Sequence, residues 1–384
     1  GFEFNFYVTV LTVIAWLISK ERKFLAPNAI TGLMVLFGLW VSFTTYMALL
    51  PSYSETDWDT TIKTLILAVA VLATVTNKVR IQAMIWVIVI SLGYYPVKGG
   101  GFTLITGGSH TLFGPDDSMI ADNHNLGLAL VMMLPLLNYL RVSSASKIVY
   151  WVCALAIGLT LVAIIGTYSR GALLALIALA VFYTLRTRAG FVPLILGALL
   201  LVALPNIVPD TWFDRMGTIK TAAHSDASFE GRLAAWETSW NVAKARPIIG
   251  GGFSSIQMKW VADQYSSPGS LKEGKAAHSI YFEVLGDHGF VGLLIYLAIL
   301  VAAFYNTFSV LRRAGNEPGL HWARELARTM QACMVGFLVG GAALSMAYYD
   351  GFLILLALTA SLDAVVRRLP EIVVESRPWS NPRA

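Results

Sequence analysis

Six side chains stand out as able to do chemistry: Arg170, Arg215, Arg232, His278, Glu283 and Asp287, all but the first within the polar run 205–287. Guanidinium groups grip phosphate oxygens through paired N–H donors, so several of them on one side of a protein suit a polyanionic group. A neutral imidazole can take a proton from a hydroxyl. His278 is expected at the start of a helix, whose positive end favours the neutral ring. Arg170, in GTYSRGALLA, also stands where a helix should begin, so its guanidinium and the free backbone N–H groups there can face one anion.

Each of these residues has a plainer reading. Arg170 could snorkel to headgroup phosphates, Arg232 could form a surface salt bridge with Glu230 or Glu237, Arg215 stands beside Asp214, and His278 could be an interfacial histidine. His288, ten residues past His278, reads as structural. Three arginines on one side together favour an anion. Metal chemistry finds little support, because there is no HExxH or DxD run and Asp116 with Asp117 lacks a third ligand at usable spacing. Asp122, Asn123, His124 and Asn125 read equally well as ion ligands or as a helix cap. Cys153 and Cys333 both fall in apolar stretches and read as small core residues. The absence of a P-loop argues against a nucleotide-driven pump.

These groups need elements to hold them. The segment 226–246 (DASFEGRLAAWETSWNVAKAR) predicts a helix capped by Asp226 or Ser228, with Glu230 in its first turn and Pro247 ending it. Arg232, Trp236 and Ser239 then share one face. After Gly250, Gly251 and Gly252, the spacing of Phe253, Ile256, Trp260 and Val261 predicts a second amphipathic segment, lying on the bilayer surface or on the bundle. In AAHSIYFEVLGDHGFVG, His278 is expected to open a helix that runs into the next apolar stretch. Gly286, Gly289 and Gly292 would let another element approach it closely.

Composition sets the frame. The chain of 384 residues is 56% hydrophobic and only 13% charged, with a mean hydropathy of +0.65, too apolar for a soluble fold. An all-α polytopic membrane protein is expected. Apolar stretches of spanning length fall at 2–19, 28–50, 60–76, 81–97, 124–140, 148–168, 171–185, 190–204, 289–308, 326–347 and 351–366. The organisation is then about eight spans over 1–204, a loop domain over 205–288, about three spans over 289–369, and a polar tail over 370–384. The net charge of +5 belongs to basic loop ends, so nucleic acid is not an expected partner. Lys20, Lys78, Arg80, Arg141, Arg186, Arg312, Arg313, Arg324, Arg328 and Arg367 mark one side as cytoplasmic. The long loop, the stretch 98–123, Arg170 and Asp350 then lie on the outer side.

Read together, SRGA (169–172), DRM and DASFEGRLAAW (214–236), RPIIGGGF (246–253) and HSIYFEVLGDHGFVG (278–292) resemble the O-antigen ligase and polymerase superfamily. KGGGFTLITGG and GPDDSMIADNHNLGLAL are similar to the branch of O-glycosylation ligases found with exosortase systems. The resemblance implies a C-type glycosyltransferase bundle of twelve spans with a large periplasmic loop, in the bacterial inner membrane. One helix would then precede the eleven read here. It implies transfer of a glycan from an undecaprenyl pyrophosphate donor to the lipid A core; the donor is already activated, so no nucleotide or other cofactor is expected, and the missing ligand clusters together with the arginines lead to the expectation of metal independence. Membrane lipids surround the site.

Carried onto this sequence, the family's loop histidine falls on His278 and its principal arginines on Arg170 and Arg232, with Arg215 as a third. Glu283 or Asp350 would orient the histidine or the acceptor. The same residues would serve an O-antigen polymerase or a protein O-oligosaccharyltransferase. A lipid-linked glycan flippase is the rival of a different class, and it needs no proton acceptor.

Overall fold

Polar caps punctuate long apolar helices throughout the chain. The computed structural model describes residues 4–20, 28–186, 227–267 and 274–375, among which there are twelve α-helices and no strand. In the first half these are α1 (Phe4–Ile18), α2 (Ala29–Tyr46), α3 (Pro51–Thr74), α4 (Lys78–Ile105), α5 (Asn123–Ser143), α6 (Lys147–Gly166) and α7 (Arg170–Arg186). The second half holds α8 (Ala227–Ala245), α9 (Lys259–Tyr265), α10 (Ile280–Ala314), α11 (His321–Gly341) and α12 (Asp350–Glu375). Asn28 caps α2 by accepting the Ile30 N–H at 3.0 Å, and Asn77 caps α4 through Arg80 N–H at 2.9 Å. Asp122 caps α5 by accepting from the His124 and Asn125 N–H groups.

Helices α2, α4, α5, α6 and α10 are long and apolar enough to cross a membrane. The protein is therefore a multi-pass, all-α membrane protein. The other expected spans coincide with α1, α3, α7, α11 and α12, which are shorter or more polar. The stretch 190–204 and residues 376–384 of the tail lie outside the described residues, while 370–375, expected as part of the tail, continue α12. Helix α5 is apolar all round and buried from Leu126 to Leu137, as suits a central helix. It packs on α4, α6, α7 and α11, while α10 packs on α2, α8, α11 and α12.

Three expectations about boundaries change. Helix α4 continues through Pro96 and the KGGG run to Ile105, where a loop was expected from residue 98. The reason is packing: a Cβ on Gly100 would lie 2.3 Å from the Leu159 carbonyl oxygen, so only glycine lets α4 and α6 meet there. The segment after Gly252 is no single helix but a 3₁₀ turn, Ser255–Gln257, followed by α9; Phe253, Ile256 and Val261 are buried while Trp260 faces out. Finally, α10 starts at Ile280 and not at His278, and it kinks at Gly289.

That kink has a clear cause. Gly289 has φ +69°, and a Cβ there would lie 2.7 Å from the carbonyl oxygens of both Pro247 and Ile248. Phe290 N–H donates to Pro247 O at 2.9 Å, so the loop after α8 inserts at the break. Gly286 likewise admits Ser239 of α8. The expected close approach is real at Gly286 and Gly289, whose partner is the 227–267 segment, while Gly292 faces Trp40 of α2.

Candidate functional site

His278 is held by its backbone. It sits two residues before α10 with φ +45°, a left-handed conformation that costs a non-glycine residue about 1 to 3 kcal/mol and persists only where its surroundings enforce it. Its N–H donates to Ser345 Oγ at 2.8 Å. The carbonyl of buried Ala277 accepts from Trp236 Nε1 at 2.7 Å, and the Trp236 ring stacks on Phe282 with centroids 5.1 Å apart. On the other side, Glu283 N–H donates to Ser279 O at 2.8 Å, starting the first turn of α10. The imidazole is thus presented, half-buried, from a fixed point among α8, α10 and the turn between α11 and α12.

Its electrostatic surroundings favour the neutral ring. Burial is the largest cause, and the positive charge of Arg232 adds to it, with His124 and Lys275 in the same direction. The Asp122 carboxylate opposes them, and the net effect holds the His278 pKa below the ordinary histidine value. A neutral imidazole beside a guanidinium is the protonation state a general base requires.

Arg232 lies on α8, half-buried, on the face that also carries Trp236 and Ser239, as the spacing predicted. Arg170 is the first residue of α7, behind Ser169, whose Oγ caps the helix by accepting Ala172 N–H at 3.2 Å. The turn before it is rigid: Tyr168 has φ +54° and donates its hydroxyl to Gly108 O, and Asn123 Nδ2 donates to Thr167 O at 2.7 Å. Gly171 abuts Leu344, the neighbour of the Ser345 that receives His278. The starts of α5, α7, α10 and α12 therefore gather at one end of the bundle, bringing Asp122, Arg170, His278 and Arg232 into one region.

The carboxylates are engaged elsewhere in that region. Glu283 Oε2 accepts Ala347 N–H at 3.0 Å and so braces the turn that carries Ser345, whereas Asp350 Oδ1 accepts Gly351 N–H at 2.7 Å within the first turn of α12. Asp287, nearly fully buried, accepts from Ser254 N–H at 3.0 Å and from the Tyr348 hydroxyl at 2.9 Å. It ties the 250–254 loop to α10 and to the same turn. His288 is buried with Nδ1 2.7 Å from Thr44 Oγ1, in keeping with a structural role. Arg215 lies outside the described residues. Ser345 gave no signal in the sequence and Trp236 only its place on the Arg232 face, since their partners are backbone atoms brought close only by folding. Among the described residues, no group of three His, Cys, Asp or Glu side chains could hold a metal ion.

Residues 155–297 match the family described as O-antigen ligase. Residues 2–145 match a family of unknown function (DUF5935). No curated protein matches the chain. The ligase match contains Arg170, Arg232, His278 and Glu283, whereas Asp122, Ser345 and Asp350 lie beyond it.

Proposed function

Because residues 155–297 carry an O-antigen ligase domain, we propose that this membrane protein is a glycosyltransferase that moves a glycan from undecaprenyl pyrophosphate to a hydroxyl of the lipid A core oligosaccharide. The reaction takes place at the periplasmic face of the bacterial inner membrane. The acceptor oxygen attacks the anomeric carbon while the bond from that carbon to the pyrophosphate oxygen breaks, inverting the configuration. The acceptor proton passes to the His278 ring. Arg170 and Arg232, with Arg215 as a third, take up the charge that develops on the leaving pyrophosphate, the task a divalent ion performs elsewhere. Glu283, through the turn it braces, or Asp350 orients the histidine or the acceptor.

The observation that carries this reading is the clamped His278, kept neutral beside Arg232 inside the matched domain. A flippase gives no reason to hold a histidine in a left-handed conformation with its basic form favoured. The test is reconstitution of the purified protein with undecaprenyl pyrophosphate glycan and lipid A core, in the presence of EDTA. Glycosylated lipid A core is the expected product. Extension of the donor glycan would reassign the acceptor to another lipid-linked glycan and make the enzyme a polymerase. Activity lost in EDTA and restored by magnesium would remove the arginines from the charge-neutralising role.

A further inference from the structure

Two stripes of exposed apolar residues run along the bundle and end under α8. On α10 the stripe is Phe290, Leu294, Leu297, Val301, Tyr305 and Phe308, spaced by three or four residues and so on one helical face. In a multi-pass membrane protein such a stripe faces acyl chains. On α2 a shorter one consists of Leu39, Phe43 and Tyr46, the last 76% exposed. The α10 stripe continues upward without a break, since Phe290 meets Trp240 of α8 edge to face at 5.5 Å. The α2 stripe leads to Met47, whose carbonyl accepts from Arg246, just past α8.

Helix α8 is two-faced at this point. Thr238, Ser239, Val242 and Ala243 are buried toward α10 and the 250–262 segment. On the outward side Leu233, Trp240 and Lys244 fall on one face and Ile248 follows at 59% exposure. A tryptophan and a lysine one turn apart, at the height where a span's lipid-facing stripe ends, form the pair of anchors that suits the headgroup layer. The indole has an apolar body with a polar N–H, and the ammonium meets anionic headgroups.

We propose that the α8 face carrying Trp240 and Lys244, together with Ile248, is seated in the outer headgroup layer of an anionic bilayer. The cap over His278 is thereby tethered to the membrane at the level where α10 leaves it. The occupant is lipid because the face continues the lipid-facing stripe of α10 through Trp240 to Ile248; Lys244 is the positive charge on its last turn, and Glu230 and Glu237 stand on the earlier turns of the same face. The proposal rests on the multi-pass fold and not on the transfer reaction, and its readout is depth in the bilayer.

The experiment uses the full chain in nanodiscs of phosphatidylethanolamine and phosphatidylglycerol. Spin labels are placed through Trp240→Cys, Ile248→Cys, Leu294→Cys as the lipid-facing reference and Trp260→Cys as the exposed cap reference. Labels at 240 and 248 are expected to be relaxed more by oxygen than by a water-soluble nickel chelate, between the two references. Values equal to the Trp260→Cys label would overturn the proposal, as would protection from both reagents, which means a protein partner or a second copy covers the face. Should the cysteine variants fail to fold, Trp240→Phe serves instead. Headgroup-brominated lipid should then quench less of the total tryptophan fluorescence than in the unaltered protein, and an unchanged quenched fraction would equally overturn the proposal.

Discussion

His278 carries the sharpest consequences at the scale of single residues. A sugar hydroxyl is a weak nucleophile near neutral pH, so a placed base contributes roughly 10²- to 10⁴-fold, about 3 to 5 kcal/mol of barrier. His278→Ala should lower single-turnover transfer by at least the lower factor while insertion and donor binding persist; equal rates would remove it from the base role. Only the neutral ring accepts a proton, and burial with Arg232 lowers its pKa. The acid fall in rate should therefore come at lower pH than for an ordinary histidine. Asp122→Asn keeps an acceptor for the α5 cap but removes the carboxylate that raises the His278 pKa. Its acid limb should move to lower pH, and a shift to higher pH would contradict the assigned surroundings. Arg170→Lys and Arg232→Lys keep charge but lose the planar fork. Loss of most turnover with normal expression is expected, and near-normal turnover in both would make these arginines structural. Charged groups in a chain this apolar are conspicuous, which is why Arg170, Arg232 and His278 were legible in the sequence. The contacts of the Ser345 hydroxyl and the Trp236 indole were not, because each meets a backbone atom distant in the chain.

At the scale of elements, caps and stops could be read and backbone breaks could not. Asp122 ahead of α5 and Pro247 after α8 act locally, so their sequence meaning survives folding. Helix α4 ran past the expected end because Gly100 gains a close contact with α6 that outweighs the poor helix propensity of three successive glycines. The helix also tolerates Pro96, as membrane helices can when neighbours meet the freed backbone groups. Gly289 was recognised as a close-packing residue, but its positive φ depends on the 247–248 loop wedged against it. Gly289→Ala would therefore meet both a left-handed backbone and two carbonyl oxygens. A loss of at least about 1 to 3 kcal/mol from the backbone conformation alone is expected, seen as a lower midpoint in thermal unfolding of the detergent-solubilised protein. Because His278 stands two residues ahead of α10 and the kink fixes that end against α8, transfer should fall with it. An unchanged midpoint would show that α10 can straighten freely.

For the whole molecule, the question is which side of the membrane the site occupies. The fold sorts the basic residues more clearly than the sequence did. Arg141, Arg186 and the Arg312 and Arg313 pair stand in the last turns of α5, α7 and α10, at the ends opposite to the His278 region. Arg186 lies over Phe308 at 5.8 Å and Lys78 over Trp322 at 5.3 Å, so the ends of α7 and α10 and the starts of α4 and α11 form one basic rim. Arg324 adds to it by donating to Gly315 O at 2.7 Å. Basic residues are retained in the cytoplasm during insertion, so the rim is expected on the cytoplasmic side and His278 outside. Asp263, exposed on α9, and Gly319, exposed with open space around it, report the two faces. Native Cys153 and Cys333 are buried and leave a quiet background. In intact spheroplasts an impermeant maleimide should label Asp263→Cys and spare Gly319→Cys until the membrane is opened. The opposite pattern would place His278, Arg170 and Arg232 in the cytoplasm, away from a glycan donor displayed on the outer leaflet. The proposed transfer would then lose its substrate even if every side chain were correctly assigned.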